Sequence, residues 1–309
     1  MGMQENGHMN GFRYFTLVLA FLSSTGGILA QSENGTKPSY GLSVFRQTSV
    51  MRPYEYDISF PFYNKEKLSG TTETHYPFLF WYEFSNRLRL EFTASKFQIT
   101  DGHYKTVGIF PAGVFEWTTG INTIDRSQET LQLLRSYNVF GMRLSPGIGL
   151  RHQRRQVSFR SASSVVHEDM NALMLQGALR LEIPLPASFS LQLDGAGYIG
   201  EGRFRPAPLA DISSDWQYAW VRLSDERTGQ ASGYEWNAAF HYALNEHVSL
   251  SLGYGVTQDY RHLWNDPFVS LYFSANNPPA VYLYDQYAFA TGMLRERISS
   301  YSLGLHVRL

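Results

Sequence analysis

Tyr301-Ser302-Leu303-Gly304-Leu305-His306-Val307-Arg308-Leu309 is the stretch whose reading decides the fold. Tyr301, Leu303, Leu305, Val307 and Leu309 are apolar, and the residues between them, Ser302, Gly304, His306 and Arg308, are small or polar. A two-residue period puts the two rows on opposite sides of a β-strand, one greasy and one wet.

The same alternation recurs upstream. Tyr54, Tyr56, Ile58, Phe60 and Phe62 alternate with Glu55, Asp57 and Ser59. Phe78, Phe80, Tyr82 and Phe84 alternate with Leu79, Trp81 and Glu83. After a tight Ser85-Asn86 turn, Leu88, Leu90, Phe92 and Ala94 oppose Arg87, Arg89, Glu91 and Thr93. That is a hairpin with one apolar face on both arms. Further alternating runs cover residues 140–151, 175–183, 189–203, 234–242 and 248–256. Pro146, inside the first of these, marks an edge or a bulge. Residues 105–117 read as a less regular strand. Residues 125–135 read as a short connecting helix, because Asp125 with Gln128 suggests a helix start and Leu131 and Leu134 fall three apart. Residues 152–168 read as a polar loop, and 205–232 and 259–284 as long loops. Residues 40–50 alternate only partly, broken at Arg46, and fit either a short strand or an N-terminal extension.

Composition narrows the function classes. Among 309 residues, charged side chains make up 17% and the net charge is −1, which argues against a nucleic-acid binder with clustered basic surface. Aromatics reach 15%, with 20 Tyr and 21 Phe, more than a soluble core needs. Cysteine is absent, which excludes a disulfide framework, a cysteine zinc site and a thiol nucleophile and fits an oxidising compartment. Arg13, the apolar run from Tyr14 to Leu22, and Ile28-Leu29-Ala30 before Gln31 form a secretory signal over residues 1–30. Met9 is an alternative initiator to Met1. A nine-residue run is too short to cross a bilayer, and no apolar run of about 18 occurs elsewhere, so no transmembrane helix is expected.

A soluble barrel would bury the apolar face in a core, whereas a membrane barrel turns it to lipid around a polar lumen. Three features favour the second. Ser85-Asn86, residues 184–188 and residues 244–247 are short turns, while the alternate links are long and polar, as in membrane barrels. Phe84, Tyr234, Trp236, Tyr242, Tyr254 and Tyr301 sit near strand ends, where rings with a polar tip are stable at headgroup level. The wet face carries small residues and charges of both signs, as a narrow lumen requires.

With these features the chain resembles bacterial outer-membrane β-barrels over residues 53–309, and its closing strand resembles the final strand that the barrel-insertion machinery reads. That family usually ends on Phe or Trp, where this chain has Leu309. The resemblance implies a Gram-negative cell envelope, with outer-membrane lipid, lipopolysaccharide and the insertion machinery as partners. The expected fold is all-β: an antiparallel up-and-down transmembrane barrel of about ten strands, or twelve if residues 216–224 and another segment join the wall. Residues 31–52 are a leader, and the closing strand is expected to pair with the strand at residues 54–62. Small barrels are filled by their own side chains, so the lumen should be tight.

The expected lumen-lining residues are Glu55, Asp57, Glu83, Arg87, Arg89, Glu91, Arg143, Arg180, Glu182, Asp194, Glu235, His241, His306 and Arg308. Mixed signs suit a network of ion pairs, because an unpaired charge in so confined a space is costly. Arg154, Arg155 and Arg160, in the expected polar loop, are candidates for lipopolysaccharide phosphate, which arginine grips in a forked geometry. Nucleotide loops, His-Glu-x-x-His and Gly-x-Ser-x-Gly are absent, and no cofactor or metal site is indicated. Some barrels of this size are enzymes, such as omptin proteases with Asp and His at the outer rim. Here His262 with Asp259, and His167 with Asp169, are the candidates for such a rim site. Three readings follow: a structural or narrow, porin-like transport barrel first, a rim-site barrel enzyme second, a soluble ligand-binding barrel third.

Overall fold

The computed structural model describes residues 38–52, 72–84, 86–110, 113–160, 165–205, 218–222, 227–263, 270–274, 281–282 and 294–309. In chain order its strands are β1 (Ser39–Arg52), β2 (Thr72–His75), β3 (Phe78–Glu83), β4 (Leu88–Phe110), β5 (Gly113–Arg135), β6 (Tyr137–Val139), β7 (Met142–Arg160), β8 (Val165–Pro184), β9 (Phe189–Arg205), β10 (Tyr218–Arg222), β11 (Arg227–Ala243), β12 (Val248–Leu263), β13 (Ser270–Ser274), β14 (Val281–Tyr282) and β15 (Leu294–Arg308). Ten of them close an antiparallel barrel in the order β1-β3-β4-β5-β7-β8-β9-β11-β12-β15, with β15 pairing back onto β1. β2 continues the β3 position past Pro77 and pairs with β1. β6 continues β5 past Ser136 and pairs with β7. β10, β13 and β14 form a separate three-stranded sheet.

The barrel is polar inside and apolar outside. Outward-facing Leu252, Leu175 and Ile148 are 65%, 68% and 72% exposed, whereas lumen-facing Arg151 and Glu91 are 0% and 1% exposed. Only lipid makes such a surface stable. An inner aromatic girdle includes Tyr40, Phe189 and Tyr242, and an outer one includes Trp236, Tyr254 and Tyr301, with ring centroids 5.4 Å apart for Trp236–Tyr254 and 5.0 Å for Tyr254–Tyr301. Among the described residues no helix is long and apolar enough to cross a membrane.

Tight connections gather at the end where β15 finishes. Phe84 and Leu88 close the β3–β4 turn through a 2.7 Å bond from Phe84 N to Leu88 O. Asn245 caps the β11–β12 turn by accepting from the amides of His247 and Val248, both at 2.8 Å. Phe140-Gly141, with φ of 51° and 77°, makes the two-residue hairpin between β6 and β7, a turn that needs both central residues at positive φ.

Several expectations are corrected. The wall begins earlier than residue 53: β15 pairs with β1 from Gly41↔Arg308 to Arg52↔Arg297, so most of the expected leader is barrel wall. Residues 54–62, with Glu55 and Asp57, lie outside the described residues. Residues 125–135 are strand, not helix, and pair on both sides. Leu131 and Leu133 face outward two apart, while Leu134 turns into the lumen, where a Cβ on Gly147 would approach it to 2.4 Å. That one inward leucine produced the false helical spacing. Residues 105–117 straddle the outer end of the β4–β5 hairpin, whose ladder runs to Phe110↔Gly113. Residues 152–160 and 165–168, read as loop, are the upper ends of β7 and β8. Pro146 is tolerated because the pairing on one side of β7 breaks there, ending at Gly147↔Leu134 and resuming at Leu144↔Tyr137.

Candidate functional site: a bridged lumen

Among the described residues the wall concentrates its polar chemistry in the lumen, which is bridged in two tiers. In the outer tier the Arg126 guanidinium on β5 reaches Asp259 on β12 at 2.5 Å and also pairs with Glu296 on β15. Arg155 on β7 donates from Nε to Glu296 at 2.8 Å. β5 and β12 stand five places apart in the ten-strand ring, as do β7 and β15, so both contacts cross the full diameter. Asp259 is held further by the Tyr198 hydroxyl at 2.6 Å and by Gln153 at 3.0 Å, and Arg261 donates to Gln153. Met51, Phe97, Ile99, Ile124 and Ile298 pack as a buried apolar cluster on the lumen face of β1, β4, β5 and β15.

The inner tier centres on Glu91, 1% exposed. Arg180 grips it through both terminal nitrogens, at 2.6 and 3.1 Å, and holds Asp194 from Nε at 2.7 Å. Arg89 Nε lies 2.7 Å from Glu91, and its guanidinium covers the Trp81 ring at 4.4 Å. Arg143 pairs with Glu83 at 2.5 Å. His306 places Nδ1 2.7 Å from Ser43 Oγ and Nε2 2.7 Å from Ser251 Oγ, with the His241 ring 4.8 Å away.

A chain of side chains joins the tiers. Gln132 donates to Glu91 at 2.6 Å, Gln176 to Gln132 at 3.0 Å, and Arg151 to Gln176 at 3.3 Å. Arg151 also meets Glu235 at 2.8 Å and covers the Tyr198 ring at 3.9 Å, and Tyr198 completes the path to Asp259. Forked and multiply bonded pairs of this kind offset the cost of burying charge. Glycine makes room for the central ring: a Cβ on Gly233 would stand 2.6 Å from Tyr198.

A family model described as a predicted outer membrane protein of Leptospiraceae matches residues 36–277. The chain belongs to that family. No curated protein matches it. Among solved structures, this Leptospiraceae barrel is similar to the outer membrane protease OmpT from Escherichia coli, with 10% identity over 91% of this chain and 99% of that one at a TM-score of 0.43. It is also similar to the outer membrane protein OprG from Pseudomonas aeruginosa, with 10% identity over 90% and 99% at a TM-score of 0.28. The Pseudomonas putida toluene transporter TodX matches with 9% identity over 90% of both chains at a TM-score of 0.34.

The residues expected to line the lumen of this family member divide as follows. Glu83, Arg89, Glu91, Arg143, Arg180, Asp194, Glu235, His241 and His306 face inward in the network above, and Glu182 shares the inward row of β8 with Arg180. Arg308 donates to Ser39 at the inner mouth at 3.2 Å. Arg87 does not line the lumen: it is an exposed turn residue with φ of 63°. Arg154, Arg155 and Arg160 do not share a loop. Arg155 is 2% exposed inside the lumen, Arg154 points outward and pairs with Asp169 at 3.2 Å, and Arg160 is a strand residue in register with Val165. Asp259 and His262 sit three apart on one strand, so they face opposite sides of the wall and form no acid–base pair. His167 is a strand position in register with Ser158, and Asp169 is engaged by Arg154.

Sequence reading missed Arg126, Arg151, Gln153, Tyr198 and Glu296, the residues that bridge the outer tier. Arg126 fell in the expected helix and Gln153 in the expected polar loop, while Arg151 and Tyr198 lay in expected strands without being singled out. The available signal was parity: once β7 is extended, Arg151, Gln153 and Arg155 continue the inward row begun by Ser145, Gly147 and Gly149.

Proposed function

We propose that this protein is a closed outer-membrane scaffold, a wall with a sealed lumen rather than a conduit for hydrated solutes. The observation that supports this reading is the pair of diametral contacts, Arg126 with Asp259 and Arg155 with Glu296. A barrel whose opposite walls touch through side chains leaves no continuous water column, and opening one would strand buried charges. In this reading the chain crosses the periplasm with its signal over residues 1–30 removed, and β15 is the strand that the insertion machinery takes up. Planar-bilayer recording of the refolded protein tests it: the wild type should give no stable conductance steps. Replacing Arg126, Arg155, Asp259 and Glu296 together by alanine should produce them. Reproducible single-channel currents from the wild type would overturn the scaffold reading.

A further inference from the structure

Between β2 and β4 the backbone ladder of the wall is broken. β3 and β4 pair from Glu83↔Arg89 to Phe78↔Ala94, and the ladder stops at the residue next to Pro77. β2 carries on in the same register against β1, from Gln47↔His75 to Val50↔Thr72. Among the described residues it bonds to no second strand, and β4 above Ala94 is bonded to β5 alone. Continuing the Phe78↔Ala94 register sets Tyr76 opposite Lys96 and His75 opposite Phe97. The His75 and Phe97 rings stand 5.0 Å apart, so the two strand edges face each other directly without being bonded.

Depth limits what such a seam can do. Thr74 pairs with Thr48, which pairs in turn with Tyr301 of the outer girdle. Unbonded strand edges are unstable in hydrocarbon, whereas at headgroup depth water satisfies them. Small molecules with an apolar ring and one polar tip concentrate at that same depth. Behind the seam lies the apolar cluster of Met51, Phe97, Ile99, Ile124 and Ile298, and Phe97 is the cross-strand partner of Arg126 in the charged outer tier. His75 stands between seam and cluster. It is 6% exposed, it packs on Phe97, and its Nδ1 is buried with no hydrogen-bond partner among the described residues. A buried polar atom without a partner is costly, and a hydroxyl brought in by a ligand would supply one.

The geometry points to a lateral port: the β2–β4 seam admits a small, mostly apolar molecule with one hydroxyl, of the phenol class, from the bilayer surface. Its ring lies against Phe97 and the aliphatic cluster, and its hydroxyl meets His75. The inference goes beyond the closed-scaffold reading, because the axis stays blocked to hydrated solutes while the side takes up one small molecule.

The test uses the full-length refolded protein in lipid nanodiscs. The probe is a phenol carrying a small photoreactive diazirine, with the matched benzene lacking the hydroxyl as control, and mass spectrometry maps the labelled residues. The phenol should label Met51, Phe97 or Ile124. His75→Phe should lower phenol labelling there by roughly fivefold, the worth of one hydrogen bond, and leave labelling by the benzene unchanged. Because the chain has no cysteine, Tyr76→Cys/Lys96→Cys can be bridged across the seam with a short reducible bis-thiosulfonate reagent. Bridging should take cluster labelling by both probes to background, and reduction should restore it. Label confined to lipid-facing residues such as Leu175 and Leu252, cluster labelling that persists across the bridged seam, or phenol labelling indifferent to His75→Phe would each overturn the proposal. Heat-modifiable gel migration reports folding. Should His75→Phe not fold, the bridged pair decides alone, since Tyr76 and Lys96 are both exposed. Single-channel currents from the wild type would sink the scaffold reading and leave the labelling outcome to stand by itself.

Discussion

Arg126 and Asp259 meet at 2.5 Å from strands on opposite sides of the barrel, and both side chains are almost fully buried. A contact that spans a diameter ties the two halves of a ring together in a way that neighbouring-strand pairs do not. It also fixes the bore, because guanidinium and carboxylate can meet only if the walls stay close. The narrow ten-strand ring and the paired charges are thus one structural fact seen from two sides.

Removing one partner should be costly. Asp259→Ala leaves Tyr198 and Gln153 without their acceptor and Arg126 with Glu296 alone, so the loss should approach, from below, the roughly 3–5 kcal/mol of a buried charge stripped of every partner. The Arg126→Ala/Asp259→Ala double variant should lose less than the sum of the singles, because coupled groups are non-additive. Urea unfolding of the refolded protein, followed by gel mobility, measures both. Additive losses would mean that the two residues do not share one network.

The lipid face should respond in the opposite sense to a soluble protein's surface. Leu250 and Leu305 are exposed cross-strand partners, and Leu305 lies midway along β15 between Tyr301 and the inner end. Arginine near the bilayer midplane of a barrel costs about 2–4 kcal/mol. Leu305→Arg should therefore lower folding stability in lipid vesicles by that amount. A soluble barrel would accept the same change at an exposed site almost freely, so a neutral result in vesicles would contradict the inside-out arrangement.

Tyr198 lies across Gly233, and any side chain there collides with the ring at 2.6 Å and with the Gln258 carbonyl at 2.4 Å. Gly233→Val should destabilise by about 1–3 kcal/mol through overpacking. Because the ring must move, it should also weaken the Tyr198–Asp259 bond. Tyrosine fluorescence and the urea midpoint would register the two effects, and an unchanged midpoint would show that the wall relaxes around the intrusion.

The legible parts of this fold were those with a clean period of two. The row from Tyr301 to Leu309 has exposed apolar and lumen-facing small residues, and it gave the correct class. It failed wherever the inside was apolar or the outside charged. Leu134 points inward and mimicked a helix. Arg154 points outward above the membrane, where water restores ordinary rules, and the alternation it belongs to reads as loop. β1 reads as either a short strand or an extension because Arg46 interrupts its outward row. The outer tier was invisible for a further reason: contacts across a lumen join residues such as Arg126 and Glu296, 170 positions apart, and no local spacing encodes which inward residues face one another.

Phe140 offers a last test, at the inner end. It is 96% exposed and held at φ of 51° beside Gly141, in a hairpin turn whose first position favours asparagine. A bulky residue in the left-handed region carries a backbone cost of roughly 1–2 kcal/mol, which asparagine largely avoids. Phe140→Asn should thus stabilise the barrel by about 0.5–1 kcal/mol in micelles, where a projecting ring gains little. In lipid bilayers the gain should shrink, because an aromatic ring at headgroup level contributes favourably and the variant gives that up. Urea midpoints in the two media separate the terms, and a larger gain in bilayers than in micelles would show that Phe140 does not reach the interface.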